Sequence, residues 1–130
     1  LVRMHPVLPA LRHLEVHYAD GITLATLAEL CNLAPVYFGQ RFHQLTGKSP
    51  IRYLQETRIK AAAQLLAFSD LSIDEIAHRT GIGTRAYFTR LFSRFIEQSP
   101  AAYRRAFRAS ASRGISLLRP DTNGMERYPE

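Results

Sequence analysis

The stretch YFGQRFHQLTGKSPIRY at residues 37–53 is repeated as YFTRLFSRFIEQSPAAY at residues 87–103. The two copies share six residues, each pair 50 positions apart, as from 37 to 87. The pairs are Tyr37 and Tyr87, Phe38 and Phe88, Phe42 and Phe92, Ser49 and Ser99, Pro50 and Pro100, and Tyr53 and Tyr103. An internal repeat is a stronger guide to architecture than local propensity. The chain is therefore predicted to contain two copies of one small unit.

Apolar residues around the repeat recur at helical spacing, and strand signals are nearly absent. The spacing predicts about seven helices, at about residues 9–18, 24–31, 35–46, 50–68, 73–80, 84–96 and 100–108. Thr23 and Ser72 are suited to accept hydrogen bonds at helix starts, and Glu75 completes a capping-box pattern with Ser72. Gly47 is placed to end the third helix.

A short helix and a turn of about three residues precede each repeated helix. The turns lie at residues 32–34 and 81–83, and the small residues Ala28 and Ala77 stand where two helices must approach closely. These are the features of a helix-turn-helix, whose second helix enters the major groove of DNA. We therefore predict an all-α fold with two helix-turn-helix subdomains joined by a long linker helix.

The predicted organisation has four segments. They are a first helix-turn-helix subdomain at residues 7–48, the linker helix at 49–68, a second subdomain at 69–108 and a C-terminal tail at 109–130. The linker sets the spacing of the subdomains. About 20 residues at roughly 1.5 Å each give about 30 Å, close to the roughly 34 Å between successive major grooves on one face of DNA. One chain is thus predicted to place both second helices in adjacent major grooves.

Positive charge is concentrated in the middle of the chain. The net charge is +6, and residues 48–108 carry the whole excess, with eleven Lys and Arg against five Asp and Glu. A clustered positive field favours a polyanionic ligand. Two equivalent units suit a long and repetitive ligand, and double-stranded DNA meets both conditions.

Helical geometry gives each repeated helix a buried and an outward face. The buried faces are predicted to consist of Phe38, Phe42 and Leu45 in the first copy and of Phe88, Phe92 and Phe95 in the second. The outward faces then consist of Val36, Gly39, Gln40 and His43 in the first and of Ala86, Thr89, Arg90, Ser93 and Arg94 in the second. Arginine can hold guanine, glutamine can hold adenine, and valine can contact a thymine methyl group, with about 1–3 kcal/mol of discrimination for a good bidentate pair.

A wider pattern extends over about residues 7–108. It consists of Leu27, Ala28, Tyr37, Phe38, Arg41, Phe42, Thr46 and Gly47, then Tyr53, Leu54, Arg58, Ala62, Leu65 and Leu66, then Ser72, Ile73, Glu75, Ile76, Ala77, Gly81, Tyr87, Phe88, Arg90, Phe92, Ser99, Pro100, Tyr103 and Arg104. As an ensemble, this pattern resembles the DNA-binding domain of the AraC/XylS transcriptional regulators, although no single dipeptide in it would be specific.

The resemblance implies sequence-specific binding of double-stranded promoter DNA and regulation of transcription, usually activation through contact with RNA polymerase. It places the base-reading positions at Val36, Gly39 and Gln40 in the first unit and at Arg85, Ala86, Thr89 and Arg90 in the second. Most members also have an effector-binding or dimerisation domain, for which 130 residues leave no room. Because the chain begins with Leu1, a fragment of a longer protein and a stand-alone member both stay open.

The chain departs from the family pattern at three places. Ile82 replaces the usual aromatic residue after the glycine of the second turn, a tolerable core exchange. Glu97 replaces the glycine that usually ends the second recognition helix, so this helix end is expected to have either a different geometry or some strain. Gly39 and Gln40 stand where longer or basic side chains are common. The second unit is therefore expected to supply more of the phosphate affinity.

Five further arginines have two open roles each. Arg41 is a DNA contact or a member of a structural ion pair, and Arg58 either braces the linker helix or contacts DNA. Arg104, Arg105 and Arg108 are phosphate contacts or a solvated helix end. Both tyrosine–phenylalanine pairs of the repeat are expected mainly in the core.

Other functions have less support in the sequence. His13 and His17 lie one turn apart without an evident third ligand, so no metal site is predicted. Cys31 is the only cysteine, which fits a reducing bacterial cytoplasm, and no base accompanies a nucleophile. No cofactor, enzymatic activity or membrane span is expected. The alternative is a helical protein-interaction module without base reading, which predicts an exposed apolar patch and little dependence on salt.

Overall fold

The computed structural model describes residues 4–112, which form seven helices and no strand. The helices are α1 (Leu8–His17), α2 (Leu24–Leu30), α3 (Pro35–Thr46), α4 (Pro50–Phe68), α5 (Ile73–Arg79), α6 (Arg85–Ile96) and α7 (Pro100–Ser112). The predicted all-α class is confirmed. Helix α7 continues past residue 108 because alanines alternate with serines there and favour a helix. The rest of the predicted tail, residues 113–130, lies outside the described residues.

The chain divides into two compact units within α4, between Thr57 and Arg58. The core of the first unit consists of Val7, Ala10, Leu14, Leu27, Ala28, Phe38, Phe42 and Leu54. The core of the second consists of Ile59, Ala62, Ala63, Leu66, Ile76, Ala77, Ile82, Phe88, Leu91, Phe92, Phe95 and Tyr103. Each copy of the repeat therefore buries its phenylalanines in a core of its own.

Helix α4 supplies apolar side chains to both units. Leu54, in its first half, belongs to the first core, and Ile59, Ala62 and Leu66, in its second half, are fully buried in the second core. Each half of the predicted linker thus completes the apolar interior of one unit, and its role as a spacer stays a prediction. A substitution in α4 is expected to affect the stability of the unit that its half completes.

Hydrogen bonds at the helix starts confirm the predicted caps. The side chain of Thr23 accepts from the backbone amide of Thr26 at 3.1 Å. Ser72 accepts from the amide of Glu75 at the same distance. Each of these oxygens satisfies an amide that has no partner within its own helix. The capping residues therefore define where α2 and α5 begin.

The ends of the two repeated helices share one backbone geometry with different residues. Gly47 ends α3 at φ +76°, and Glu97 ends α6 at φ +65°. Glycine adopts this left-handed conformation without cost, whereas a residue with a Cβ is strained there. Of the two alternatives for Glu97, the structure therefore shows the usual geometry with strain.

The prediction that Leu45 is buried is wrong, since 45% of its surface is exposed. Its counterpart Phe95 is only 2% exposed. Helix α6 packs against α7 as well as α5, whereas the main neighbour of α3 is α2. Helical periodicity identifies a face of a helix, but another helix must lie against that face to bury it. The last turn of α3 lacks such cover.

Candidate DNA-binding surface

The first helix-turn-helix is formed by α2, the turn at residues 32–34 and α3. Asn32 has a φ of +56°, which reverses the chain direction between the helices. The amide of Leu33 then donates to the carbonyl of Ala28 at 3.0 Å, and the Ala28 side chain is 1% exposed. A larger residue at position 28 would separate the two helices.

The second helix-turn-helix repeats this arrangement with α5 and α6. The amide of Gly83 donates to the carbonyl of Ala77 at 2.9 Å, and Ala77 is fully buried. Gly81 and Gly83 both have positive φ angles, of +79° and +111°. Thr84 then caps α6 by accepting from the amide of Tyr87 at 3.2 Å. The turn and the cap together fix the direction of α6.

The outward face of α6 is exposed as predicted. Leu91 and the three phenylalanines predicted to be buried occupy the opposite face and are at most 4% exposed. The exposed residues are Arg85, Ala86, Arg90 and Arg94, with Thr89 and Ser93 half-buried. The side chains that could meet DNA therefore form one face, and their contact with bases stays a prediction.

The three arginines of α6 differ in their surroundings. Arg85 lies 3.6 Å from a carboxylate oxygen of Asp74 on α5. The guanidinium of Arg90 lies over the ring of Tyr87, 5.9 Å from its centroid. Within residues 4–112, Arg90 and Arg94 have no acidic partner closer than 4.0 Å. Their positive charge is thus uncompensated by contact, and it borders a shallow depression lined by Tyr87, Arg90, Leu91 and Arg94.

The outward face of α3 is exposed but carries little charge. Val36 is 75% exposed, Gln40 and His43 are exposed, and Gly39 is half-buried. A Cβ atom at Gly39 would meet nothing within 4 Å, so the glycine leaves open space on this face. That the first unit is the weaker source of phosphate affinity stays a prediction.

The prediction that both tyrosine–phenylalanine pairs lie mainly in the core is half wrong. Phe38 and Phe88 are fully buried, but Tyr37 is 46% and Tyr87 38% exposed. Successive residues of a helix point about 100° apart, so one buried residue does not bury its neighbour. The hydroxyl group also favours a position with access to water.

Some of the basic residues in the charged segment have structural roles that the sequence did not reveal. Glu56 is 3% exposed and accepts from Lys48 and from Arg52 in the first unit. A carboxylate this deeply buried requires paired cations. The i, i+4 spacing of Arg52 and Glu56 was the signal for it. Two of the eleven cations are therefore paired with this buried carboxylate of the first unit.

Arg104 and Arg108 cap the C-terminus of α4. Arg104 Nε donates to the carbonyl of Leu66 at 3.0 Å, and its Nη2 donates to that of Ser69 at 3.2 Å. Arg108 donates to the same Ser69 carbonyl and pairs with Asp70. Burial lowers the pKa of Arg104, with a further lowering from Arg108. Arg104 is half-buried and Arg108 is exposed, and both donate to carbonyls that the helix leaves unpaired. A phosphate contact by either arginine stays a prediction.

Arg58 is half-buried beside the second core. Burial lowers the pKa of its guanidinium, and Tyr87 partly offsets this effect. Whether Arg58 braces α4 or contacts DNA stays a prediction. Arg105 is exposed, and its role stays open.

No group of three or more His, Cys, Asp and Glu among residues 4–112 could hold a metal ion. The rings of His13 and His17 lie 4.7 Å apart, and His17 lies 3.3 Å from Asp20. Cys31 is half-buried, and burial raises the pKa of its thiol. None of the helices in the described part of the chain is long and apolar enough to cross a membrane.

Comparison with known proteins identifies the family. The profile of a family described as a helix-turn-helix domain matches residues 27–106. The DNA-binding domain of AdpA, a global transcriptional factor solved with a target DNA, is 33% identical, with a TM-score of 0.80 over 85% of this chain and 100% of that one. The chain belongs to the AraC-type helix-turn-helix family. Members of this family are DNA-binding transcriptional regulators.

Two further AraC-type relatives show the same correspondence. The C-terminal domain of AraT, a response regulator from Geobacillus stearothermophilus, is 36% identical, with a TM-score of 0.76 over 79% of this chain and 86% of that one. The MmsAB operon regulatory protein of Pseudomonas aeruginosa is 35% identical over 74% of this chain and 31% of its own length. The chain thus spans about a third of the length of the curated relatives it matches.

Proposed function

We propose that this AraC-type domain binds specific double-stranded DNA through α3 and α6 and thereby regulates transcription. The observation that carries the proposal is the exposed face of α6, where Arg90 and Arg94 have no acidic partner in the described part of the chain. Such a face attracts phosphates and presents donors to base edges. The family match favours this function over the alternative of a protein-interaction module without base reading.

The second unit is proposed to be the stronger reader. Arg90 and Arg85 would each hold a guanine, and Arg94 would contact the backbone, with Ala86 and Thr89 close to the bases. Arg85 must first leave Asp74, although an exposed ion pair of this kind is worth at most about 1 kcal/mol. The loss of that pair is therefore a small cost beside a bidentate base contact.

The first unit is proposed to read fewer bases. Gln40 would hold an adenine and Val36 would contact a thymine methyl group, with His43 beside them. Gly39 can make only backbone and shape contacts. We propose that the two units occupy adjacent major grooves, a spacing suggested by the repeat and by the 19 residues of α4, which give a length of about 28 Å.

The regulatory context is proposed from the family. We propose activation by contact with RNA polymerase, and a bacterial cytoplasmic location, nucleoid-associated when the chain is bound to DNA. An effector-binding or dimerisation domain outside this chain stays a prediction. A non-enzymatic role without a cofactor also stays a prediction.

Selection from a random duplex pool at about physiological salt tests the proposal. Enrichment of two half-sites about one helical turn apart would support two-headed reading. Enrichment of one half-site only would support DNA binding but show that the first unit does not read bases. A pool without any enriched motif, with binding that hardly depends on salt, would refute the proposal and favour the protein-interaction module.

A further inference from the structure

Tyr37, which is exposed, and Arg41, which is half-buried, form a pair on α3. The Nη1 atom of Arg41 donates to the hydroxyl of Tyr37 at 2.9 Å. The guanidinium also lies over the tyrosine ring, 5.7 Å from its centroid. A hydrogen bond and a cation–π contact thus hold one long side chain in one place. The arginine is ordered before any ligand arrives.

The pair lies on one flank of the outward face. At about 100° per residue, Tyr37 and Arg41 are about 60° and 100° around the helix from Gln40. A helix about 10–12 Å across fills a major groove about 12 Å wide. The centre of the outward face then meets the bases, and its flanks meet the groove walls, which carry the phosphates.

Arg41 is the only lysine or arginine of α3. It has no acidic partner within 4.0 Å among residues 4–112. In the segment that follows, Lys48 and Arg52 are both paired with Glu56. Positive charge at the recognition helix of the first unit therefore depends on Arg41.

The chemistry of the pair suits a phosphate. The tyrosine hydroxyl accepts from Arg41, so its own proton is left to donate. The guanidinium has five N–H donors, most of which are free to meet phosphate oxygens. We propose that Tyr37 and Arg41 together bind a DNA phosphate on the groove wall, and that Arg41 is the main backbone contact of α3. This inference rests on the proposed DNA binding.

The second unit does not repeat this site. The counterpart of Arg41 is Leu91, which is 4% exposed and belongs to the core. The counterpart of Tyr37 is Tyr87, which lies instead beneath Arg90 on the outward face. In the first unit, the arginine therefore lies on the flank of the outward face, which would meet phosphates. In the second unit, Arg90 lies at the centre of that face, which would meet bases.

The test compares Arg41→Ala with Arg12→Ala. Arg12 is an exposed arginine of α1, so the two variants lose the same charge from the same unit. The full chain is titrated with a duplex carrying the selected site and with a scrambled duplex, at several salt concentrations. Arg41→Ala is expected to weaken both complexes by roughly tenfold. It should reduce the salt slope by about 0.9, as for one lost phosphate contact. Arg12→Ala is expected to leave the slope unchanged.

Tyr37→Phe tests the role of the hydroxyl. The ring and its contact with the guanidinium remain, so the fold is expected to be unaffected, as thermal unfolding would verify. Affinity for both duplexes should fall several-fold in the wild-type background and much less in the Arg41→Ala background. Equal effects in both backgrounds would contradict a joint site.

The outcomes separate this inference from the proposed function. If wild type binds DNA and Arg41→Ala matches Arg12→Ala in slope and affinity, the phosphate site is wrong and DNA binding stands. If only the selected duplex is weakened, Arg41 contacts a base, which also overturns the inference. If wild type binds neither duplex, both proposals fail.

Discussion

Residues 47 and 97 occupy the same place in the two copies of the repeat, which allows a reciprocal test of backbone strain. Both residues are left-handed, and each donates its amide to the carbonyl four residues earlier, at 2.8 Å for Gly47 and 2.9 Å for Glu97. The backbone requirement is therefore matched, and only the side chain differs. We expect Glu97→Gly to stabilise the chain and Gly47→Ala to destabilise it.

The size of each change in the free energy of unfolding follows from the backbone geometry. A left-handed conformation costs a residue with a Cβ about 1–2 kcal/mol. Glycine has more freedom in the unfolded chain, which offsets about 0.5–1 kcal/mol of the relief. Glu97→Gly should therefore raise the free energy of unfolding by about 0.8 kcal/mol, within a range of about 0–1.5 kcal/mol. A Cβ at position 47 would meet nothing within 4 Å. Gly47→Ala should thus lower that free energy by no more than the backbone cost of about 1–2 kcal/mol.

Urea unfolding followed by circular dichroism measures both changes as shifts of the midpoint at constant slope. Glu97→Gln is the control, since it removes the charge and keeps the strained backbone. If Glu97→Gln stabilises as much as Glu97→Gly, the gain comes from charge and the strain argument is wrong. A Gly47→Ala variant that is as stable as wild type would also refute the strain argument.

Three further predictions concern single side chains. Arg90→Ala should weaken binding of the selected duplex by about 10- to 100-fold and relax preference at one base pair, measured by fluorescence anisotropy; unchanged affinity and preference would refute the site assignment. Arg104→Ala should lower the free energy of unfolding by about 1–3 kcal/mol, because the α4 carbonyls lose a charged donor, with sequence preference unchanged. The pKa of Tyr53 is raised to about 12 by burial and by its hydrogen bond to Glu15. The folded state keeps this proton longer than the unfolded one, so stability should fall as pH rises between about 10 and 12. In Tyr53→Phe this alkaline loss, followed by unfolding at a series of pH values, should be smaller.

Local chemistry explains why much of the fold could be predicted. The caps at Thr23 and Ser72 and the end of α3 at Gly47 depend on neighbours within four residues, which any reader of the sequence can see. The repeat then predicted two units, because two stretches with the same apolar spacing are expected to fold in the same way. The helical period also predicted the outward face of α6, because the phenylalanines occupy the buried face and the arginines point away from it.

The exposure of Leu45 and the role of Arg104 could not be predicted from the sequence, because both depend on contacts between distant segments of the chain. Leu45 and Phe95 have the same place in the repeat, yet only Phe95 has a helix beside it to bury it. Arg104 caps carbonyls 35 to 39 residues away, a relation that no local pattern records. The case of Tyr37 is local instead, since its exposed hydroxyl accepts from Arg41, four residues further along the same helix.

The sequence by itself determined the helices, the two units, the family and the outward face of each repeated helix, because these depend on short-range spacing and on a repeated apolar period. Only the tertiary structure decided which of the cations are paired with carboxylates or carbonyls of the same chain. Glu56 and the end of α4 take four of them, while Arg90 and Arg94 are exposed and Arg41 is half-buried against Tyr37. The physical reason is that a charge can be neutralised by any group that folding brings close to it, and the sequence gives residue types without their neighbours in space.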